Sequence, residues 1–140
     1  MMSSLPSAGG AVPEGLAGLR ILLVEDEAIL ALDLRYTLED AGASVIGPIV
    51  TVPDAVRAAN SEAFDAAILD IDLQGRDVFP AAEILAARRI PFVFHTGHGR
   101  PAELETAFAG VPVCAKPADP DALLRTLART IRDRAGPPAS

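Results

Sequence analysis

Phe64-Asp65-Ala66-Ala67-Ile68-Leu69-Asp70-Ile71-Asp72-Leu73-Gln74-Gly75 is the stretch whose reading decides the fold. Ala66 to Leu69 is a short apolar run bounded by a turn signal at Gln74-Gly75, so it reads as a buried strand. A strand covered on both faces has no use for charge, which places Asp70 where the strand runs out. In an open α/β sheet the carboxyl ends of the strands are where ligands bind. Asp70 is therefore expected as an exposed carboxylate at a reactive edge. The competing reading is that it caps a turn or the next helix. The other strand ends decide between the two.

Toward the N-terminus, Arg20-Ile21-Leu22-Leu23-Val24 reads as a first buried strand that stops at three acids, Glu25-Asp26-Glu27. A helix follows, with Ala31, Leu34, Leu38 and Ala41 at helical spacing, Asp33, Arg35 and Asp40 toward water, and Gly42 placed to end it. One acid would suffice to complement the helix dipole; three together repel. Ser44 to Val50 reads as a second strand, and Pro48, which cannot donate to a ladder, puts it at an edge. Thr51 is a plausible N-cap for a helix to about Ser61 with Val52, Ala55, Val56 and Ala59 inward.

Toward the C-terminus, Val78 to Arg89 reads as an Ala-rich helix with Ile84 and Leu85 inward. Pro91-Phe92-Val93-Phe94 is a fourth buried strand that runs out at His95-Thr96-Gly97-His98-Gly99. A short helix is expected from Pro101 to about Phe108. Val111-Pro112-Val113-Cys114 is the fifth strand and ends at Ala115-Lys116-Pro117. Asp119-Pro120 then starts a helix whose apolar face holds Leu124, Leu127, Ala128 and Ile131. Strands alternating with helices predict a five-stranded parallel sheet covered on both faces, doubly wound and flavodoxin-like, in the order 2-1-3-4-5. The expected organisation is a flexible tail over 1–17, one domain over 18–134 and a short tail over 135–140.

The whole chain narrows the function classes. Its 140 residues suit one domain, and half of them are hydrophobic, enough for a core. A net charge of -7 speaks against a nucleic-acid-binding surface. Cys114 is the single cysteine, so no internal disulfide forms. No secretory signal and no apolar run of membrane-spanning length are present, and the expectation is a cytoplasmic protein.

Right-handed crossovers bring all five strand ends to one edge of the sheet. That edge collects Glu25 and Asp26, then Asp70, then Thr96, then Lys116. With the first and third strands adjacent, three carboxylates converge, and an oxygen-seeking divalent cation such as Mg²⁺ relieves their repulsion. A lysine supplies compact positive charge for a phosphate, and threonine supplies an O–H donor. The set reads as a phosphoryl-transfer site with a carboxylate nucleophile.

The residues Leu23-Val24-Glu25-Asp26-Glu27, Leu69-Asp70, Thr96-Gly97 and Lys116-Pro117 resemble the receiver domain of two-component response regulators, over about residues 20 to 131. The resemblance implies that Asp70 accepts a phosphoryl group from a phosphohistidine on a sensor histidine kinase or a histidine phosphotransfer protein. It implies that Asp26 and Asp70 ligate Mg²⁺ directly, that Glu25 acts through water, and that the backbone carbonyl of Asp72 is a further ligand. Thr96 would bond a phosphoryl oxygen, Lys116 would pair with the phosphoryl group, and the Lys116-Pro117 bond is often cis in such domains. The implied protein is a phosphoacceptor signalling domain rather than an enzyme. It would be of stand-alone type, without a DNA-binding output domain, and would signal through an unnamed downstream protein or a phosphorelay.

Departures from the pattern are Val113 where receivers usually carry a rotating Tyr or Phe, and an acid, Asp72, two residues after the acceptor. The segment around Thr96 is similar to an alphaproteobacterial subgroup of stand-alone receivers with Phe-Ala-Thr-Gly there, His95 replacing the Ala. His95 and His98 read as loop or satisfied histidines rather than metal ligands. A flavodoxin-like enzyme or cofactor-binding module is the alternative from another class. It would need a Ser-, Thr- or Gly-rich phosphate loop after the first strand, where Glu25-Asp26-Glu27 stand instead.

Overall fold

The computed structural model describes residues 15–61, 63–97, 103–116 and 119–135. Five parallel strands, β1 (Arg20–Val24), β2 (Ser44–Ile49), β3 (Ala66–Asp70), β6 (Phe92–Thr96) and β7 (Val113–Ala115), form one sheet in the order β2-β1-β3-β6-β7. Counting only these strands, that is the expected order 2-1-3-4-5. Helices α1 (Ala28–Asp40), α2 (Val52–Ser61), α3 (Phe79–Ala87), α4 (Glu103–Thr106) and α5 (Pro120–Ala135) connect and cover them. β1 and β3 are adjacent, with Val24 opposite Leu69, so the first and third strand ends meet.

The even and odd positions of each strand feed two cores. One face packs Leu22, Val24, Ala67, Leu69, Phe92 and Phe94 against α2 and α3. The other packs Ile21, Leu23, Ala66, Ile68 and Val93 against Leu34 and Leu38 of α1 and Leu124 and Leu127 of α5. The first core is anchored by Phe79, Phe92, Phe94 and Phe108, whose rings meet mostly edge to face with centroids 5.4–6.3 Å apart. Burying one such side chain contributes roughly 1.5–3 kcal/mol, and ring pairing about 0.5–1.5 kcal/mol more.

Local rules hold at most boundaries. Thr51 Oγ1 accepts the Asp54 N–H at 3.2 Å, and β2 lies at an edge, as Pro48 requires. Several expectations are corrected. Leu16, assigned to the tail, is fully buried in the core of the α1–α5 face. The fourth strand continues through His95 and Thr96, because both still pair in register with β7. The fifth runs over Val113–Ala115 rather than starting at 111. A two-stranded antiparallel ribbon, β4 (Asp72–Leu73) with β5 (Arg76–Asp77), was not foreseen beyond its turn. Gln74 and Gly75 have φ of 55° and 84°, the pair of positive values that a tight hairpin demands. His98, Gly99, Arg100, Pro101 and Pro117 lie outside the described residues, and with them the expected cis bond at Lys116-Pro117. No helix among the described residues is long and apolar enough to cross a membrane.

Candidate functional site

The C-terminal edge of the sheet carries the site. Asp70 is the last residue of β3, but it is buried, 3% exposed, rather than projecting into solvent as expected. The reason is its neighbours: β1 and β6 flank it, and the Asp72 N–H folds back to its Oδ1 at 3.2 Å. Glu25, one residue past β1, is 1% exposed. Asp26 follows and accepts the Gln74 N–H at 2.9 Å, tying the β1–α1 loop to the turn of the ribbon. Carboxylate oxygens of Glu25, Asp26 and Asp70 lie within 4.8 Å of one another.

Lys116, one residue past β7, reaches across the edge. Its Nζ donates to Glu27 Oε1 at 2.6 Å, Asp70 Oδ2 at 3.1 Å and Glu25 Oε2 at 3.2 Å. Its N–H donates to the Thr96 carbonyl at 2.7 Å, which fixes the start of the segment after β7. Thr96 is 5% exposed at the end of β6, next to His95, which pairs in register with Asp70.

The charges are unequally shared. Burial pushes Asp70 up, the Glu25 charge beside it pushes further, and Lys116 offsets only part, leaving the carboxyl at about 7. Burial also pushes Glu25 up, but the His95 imidazole, the Glu27 N–H, Asp70 and Lys116 outweigh it and hold the group at about 2. Glu25 is thus the stronger acid of the metal-free pair and Asp70 the weaker. For Lys116, burial alone would lower its pKa, but Glu27, Asp70 and Glu25 more than compensate and hold it above the ordinary lysine range.

Of the residues expected from sequence, Glu25, Asp26, Asp70 and Lys116 come together through side chains. Thr96 lies at the adjoining strand end, and Asp72 contributes its backbone, its side chain being exposed. Two residues acquire roles that the sequence did not assign. Glu27 meets Lys116 instead of capping α1, where it makes no side-chain cap bond. His95 is no loop residue: it is fully buried in β6, neither ring nitrogen has a hydrogen-bond partner among the described residues, and Nδ1 stands 3.8 Å from Glu25 Oε1, beyond hydrogen-bond reach.

An all-oxygen set of clustered carboxylates suits a hard cation of the Mg²⁺ kind better than a nitrogen- or sulfur-seeking metal. A lysine within 3.1 Å of a buried carboxylate supplies positive charge where an oxyanion can be held.

Comparisons with known proteins place this fold in a family. The response regulator receiver domain family matches the chain over residues 21–128. Over 90 residues the chain is 32% identical to the transcriptional regulatory protein PdtaR of Mycobacterium tuberculosis, covering 64% of this chain and only 42% of that protein. Among solved structures, the receiver domain of sensor histidine kinase PA1611 from Pseudomonas aeruginosa PAO1, with a magnesium ion coordinated in its active site cleft, is 30% identical. Its TM-score is 0.70, and the match covers 83% of this chain and 99% of that one. A response regulator receiver protein from Sinorhizobium medicae WSM419 is 28% identical with a TM-score of 0.74, over 83% and 96% of the two chains. SdrG from Sphingomonas melonis Fr1 is 40% identical with a TM-score of 0.66, over 78% and 95%.

Proposed function

The chain belongs to the response regulator receiver domain family, and on that premise we propose that Asp70 is its phosphoacceptor, loaded from a phosphohistidine in the presence of Mg²⁺. The observation that carries this reading is the contact of Lys116 with both Asp70 and Glu25 beside the three-carboxylate cluster.

Each residue then has a task. Glu25, Asp26 and Asp70 would hold Mg²⁺, which offsets their repulsion and the negative charge of the incoming group. The Asp72 carbonyl is available as a further ligand. Ile71 accepts from Val78 across the ribbon, so the Asp72–Asp77 pair falls at the alternate position, where the ladder does not use it. An Asp70 carboxylate oxygen attacks phosphorus; the new O–P bond forms as the N–P bond to the donor histidine breaks, and the imidazole leaves neutral after taking up a proton. Lys116 Nζ, now 3.1 Å from Asp70, pairs with the transferred group, and Thr96 bonds one of its oxygens.

The partner would carry its phosphohistidine on a helical surface. Ile29, Leu32 and Tyr36 follow helical spacing along α1 beside the site and are 86%, 52% and 64% exposed, an apolar stripe suited to a partner helix. The signal would leave through protein contacts or onward transfer to another histidine. The alternative of a flavodoxin-like enzyme finds no support at this edge, where the loop after β1 presents acids and the buried Glu25 instead of a phosphate cradle.

The test is incubation of the full chain with acetyl phosphate and Mg²⁺, followed by intact mass. One phosphoryl group should add in a Mg²⁺-dependent way, and Asp70→Ala should abolish it. Equal labelling of that variant would rule out the assignment.

A further inference from the structure

We propose that Glu27 is a latch on Lys116: it holds the ammonium group at the rim of the site and competes for it with the arriving phosphoryl group, thereby setting how readily Asp70 is loaded. This deepens the function proposed above and rests on it.

An ammonium group has three N–H donors. In this structure all of them are taken, by Glu27 Oε1 at 2.6 Å, Asp70 Oδ2 at 3.1 Å and Glu25 Oε2 at 3.2 Å. A phosphoryl oxygen can gain Lys116 only by displacing one of these acceptors. Glu25 is costly to release: it is 1% exposed, its Oε1 has no hydrogen-bond partner among the described residues, and losing Lys116 would leave a buried carboxylate to the Glu27 N–H. Asp70 is the group being modified, so its contact passes to the product. Glu27 is 61% exposed, and water can solvate it on release. Glu27 is therefore the acceptor that yields.

A second observation concerns α1. Glu27 stands at its N-cap, where Ser, Thr, Asp or Asn would accept an orphan N–H, yet its side chain makes no such bond. The shortest Lys116 contact goes instead to a residue that breaks the local capping rule. Rule-breaking without local gain marks function more often than folding. Glu27 does not touch the reacting atoms. It is a positioning residue that acts through Lys116.

Glu27→Gln keeps size and backbone and removes the charge. With saturating Mg²⁺ and acetyl phosphate, the rate of intact-mass labelling should rise about two- to fivefold, the span of an exposed ion pair. The Mg²⁺ concentration for half-maximal labelling should stay put, because the latch is not a ligand. Asp33→Asn, which removes an exposed acid further along the same helix, should leave the rate unchanged. Glu27→Ala should repeat the gain, and it serves as the test if the Gln variant folds poorly. A rate unchanged or lowered in a folded Glu27 variant overturns the latch. So does an equal gain in Asp33→Asn, which would mean long-range charge alone, or a gain that vanishes at saturating Mg²⁺. Absence of labelling in the unmodified chain would instead sink the phosphoacceptor reading itself, so the two failures are distinct.

Discussion

His95 shows how a single side chain can be costly in the resting fold. Its ring is fully buried with both nitrogens unpartnered among the described residues, beside a Glu25 oxygen that is likewise unpartnered there. Each unsatisfied buried group costs on the order of 1–3 kcal/mol. Replacing the ring by an apolar side chain removes that cost but also removes the imidazole that helps hold Glu25 below its ordinary pKa, so the two effects oppose each other and His95→Leu should leave metal-free stability within about 1 kcal/mol of the parent. Chemical denaturation measures this, and a loss of several kcal/mol would show that the imidazole carries a bond in solution. Asp70 gives the opposite sign from an ordinary salt-bridged acid. Its folded pKa is raised from 3.8 to about 7, so the folded state keeps a proton that the unfolded chain gives up. That contribution is complete below the unfolded value and is lost as pH climbs through the folded one. Metal-free melting temperature should therefore fall from about pH 4 to about pH 7, and Asp70→Asn should flatten the fall. Glu25 acts the other way: held at about 2 rather than 4.5, it loses its contribution only as pH drops through that lower range. A parent and an Asp70→Asn variant with equal slopes between pH 4 and 7 would refute the raised Asp70 pKa.

Among the elements, two glycines with positive φ perform different work. Gly75, φ 84°, turns the β4–β5 ribbon in open space, since a Cβ there would meet nothing within 4 Å. Gly47, φ 118°, lies in β2 against β1, and a Cβ there would run into the Leu23 carbonyl oxygen and stand 2.9 Å from the Ile49 nitrogen. Those neighbours are backbone and cannot rotate away. Gly75→Ala should cost about 1 kcal/mol from conformation alone. Gly47→Ala should cost several times that, because the strand pair must separate. Denaturant midpoints on the two variants measure the contrast, and equal losses would show that the close approach of β2 to β1 is not maintained in solution. The ribbon itself positions chemistry: its turn fixes Asp26 through the Gln74 N–H, and its first residue folds an N–H onto Asp70.

For the whole molecule, clustering three carboxylates at one edge costs stability that a cation recovers. Mg²⁺ should raise the melting temperature, by an amount equivalent to about 2.7 kcal/mol at a hundredfold excess over its Kd. Asp26→Asn should reduce that gain. It should also raise the metal-free melting temperature, because it removes one repelling charge while an amide oxygen can still accept from Gln74. A lower metal-free melting temperature in Asp26→Asn would contradict the crowding argument. Calorimetric scans with and without Mg²⁺ give both numbers. Val113 is too small to act as a rotating ring, and the loop over 97–101 lies mostly outside the described residues.

Periodicity and punctuation alone determined the alternation of strands and helices, the edge position of the Pro48 strand, and the gathering of Glu25, Asp26, Asp70, Thr96 and Lys116 at one end of the sheet. Those features are local, or follow from the handedness of crossovers, which is nearly invariant. Only the tertiary structure decided that Asp70 is buried, that Leu16 belongs to the core, and that His95 sits beneath Glu25. Burial depends on which neighbours close over a position, and those neighbours come from distant parts of the chain. The sharing of Lys116 among Glu25, Glu27 and Asp70 is of the same kind. The spacing of three acids announced repulsion at the end of β1, but which of them a lysine some ninety residues away would meet depends on the parallel register of strands, and no local pattern encodes that.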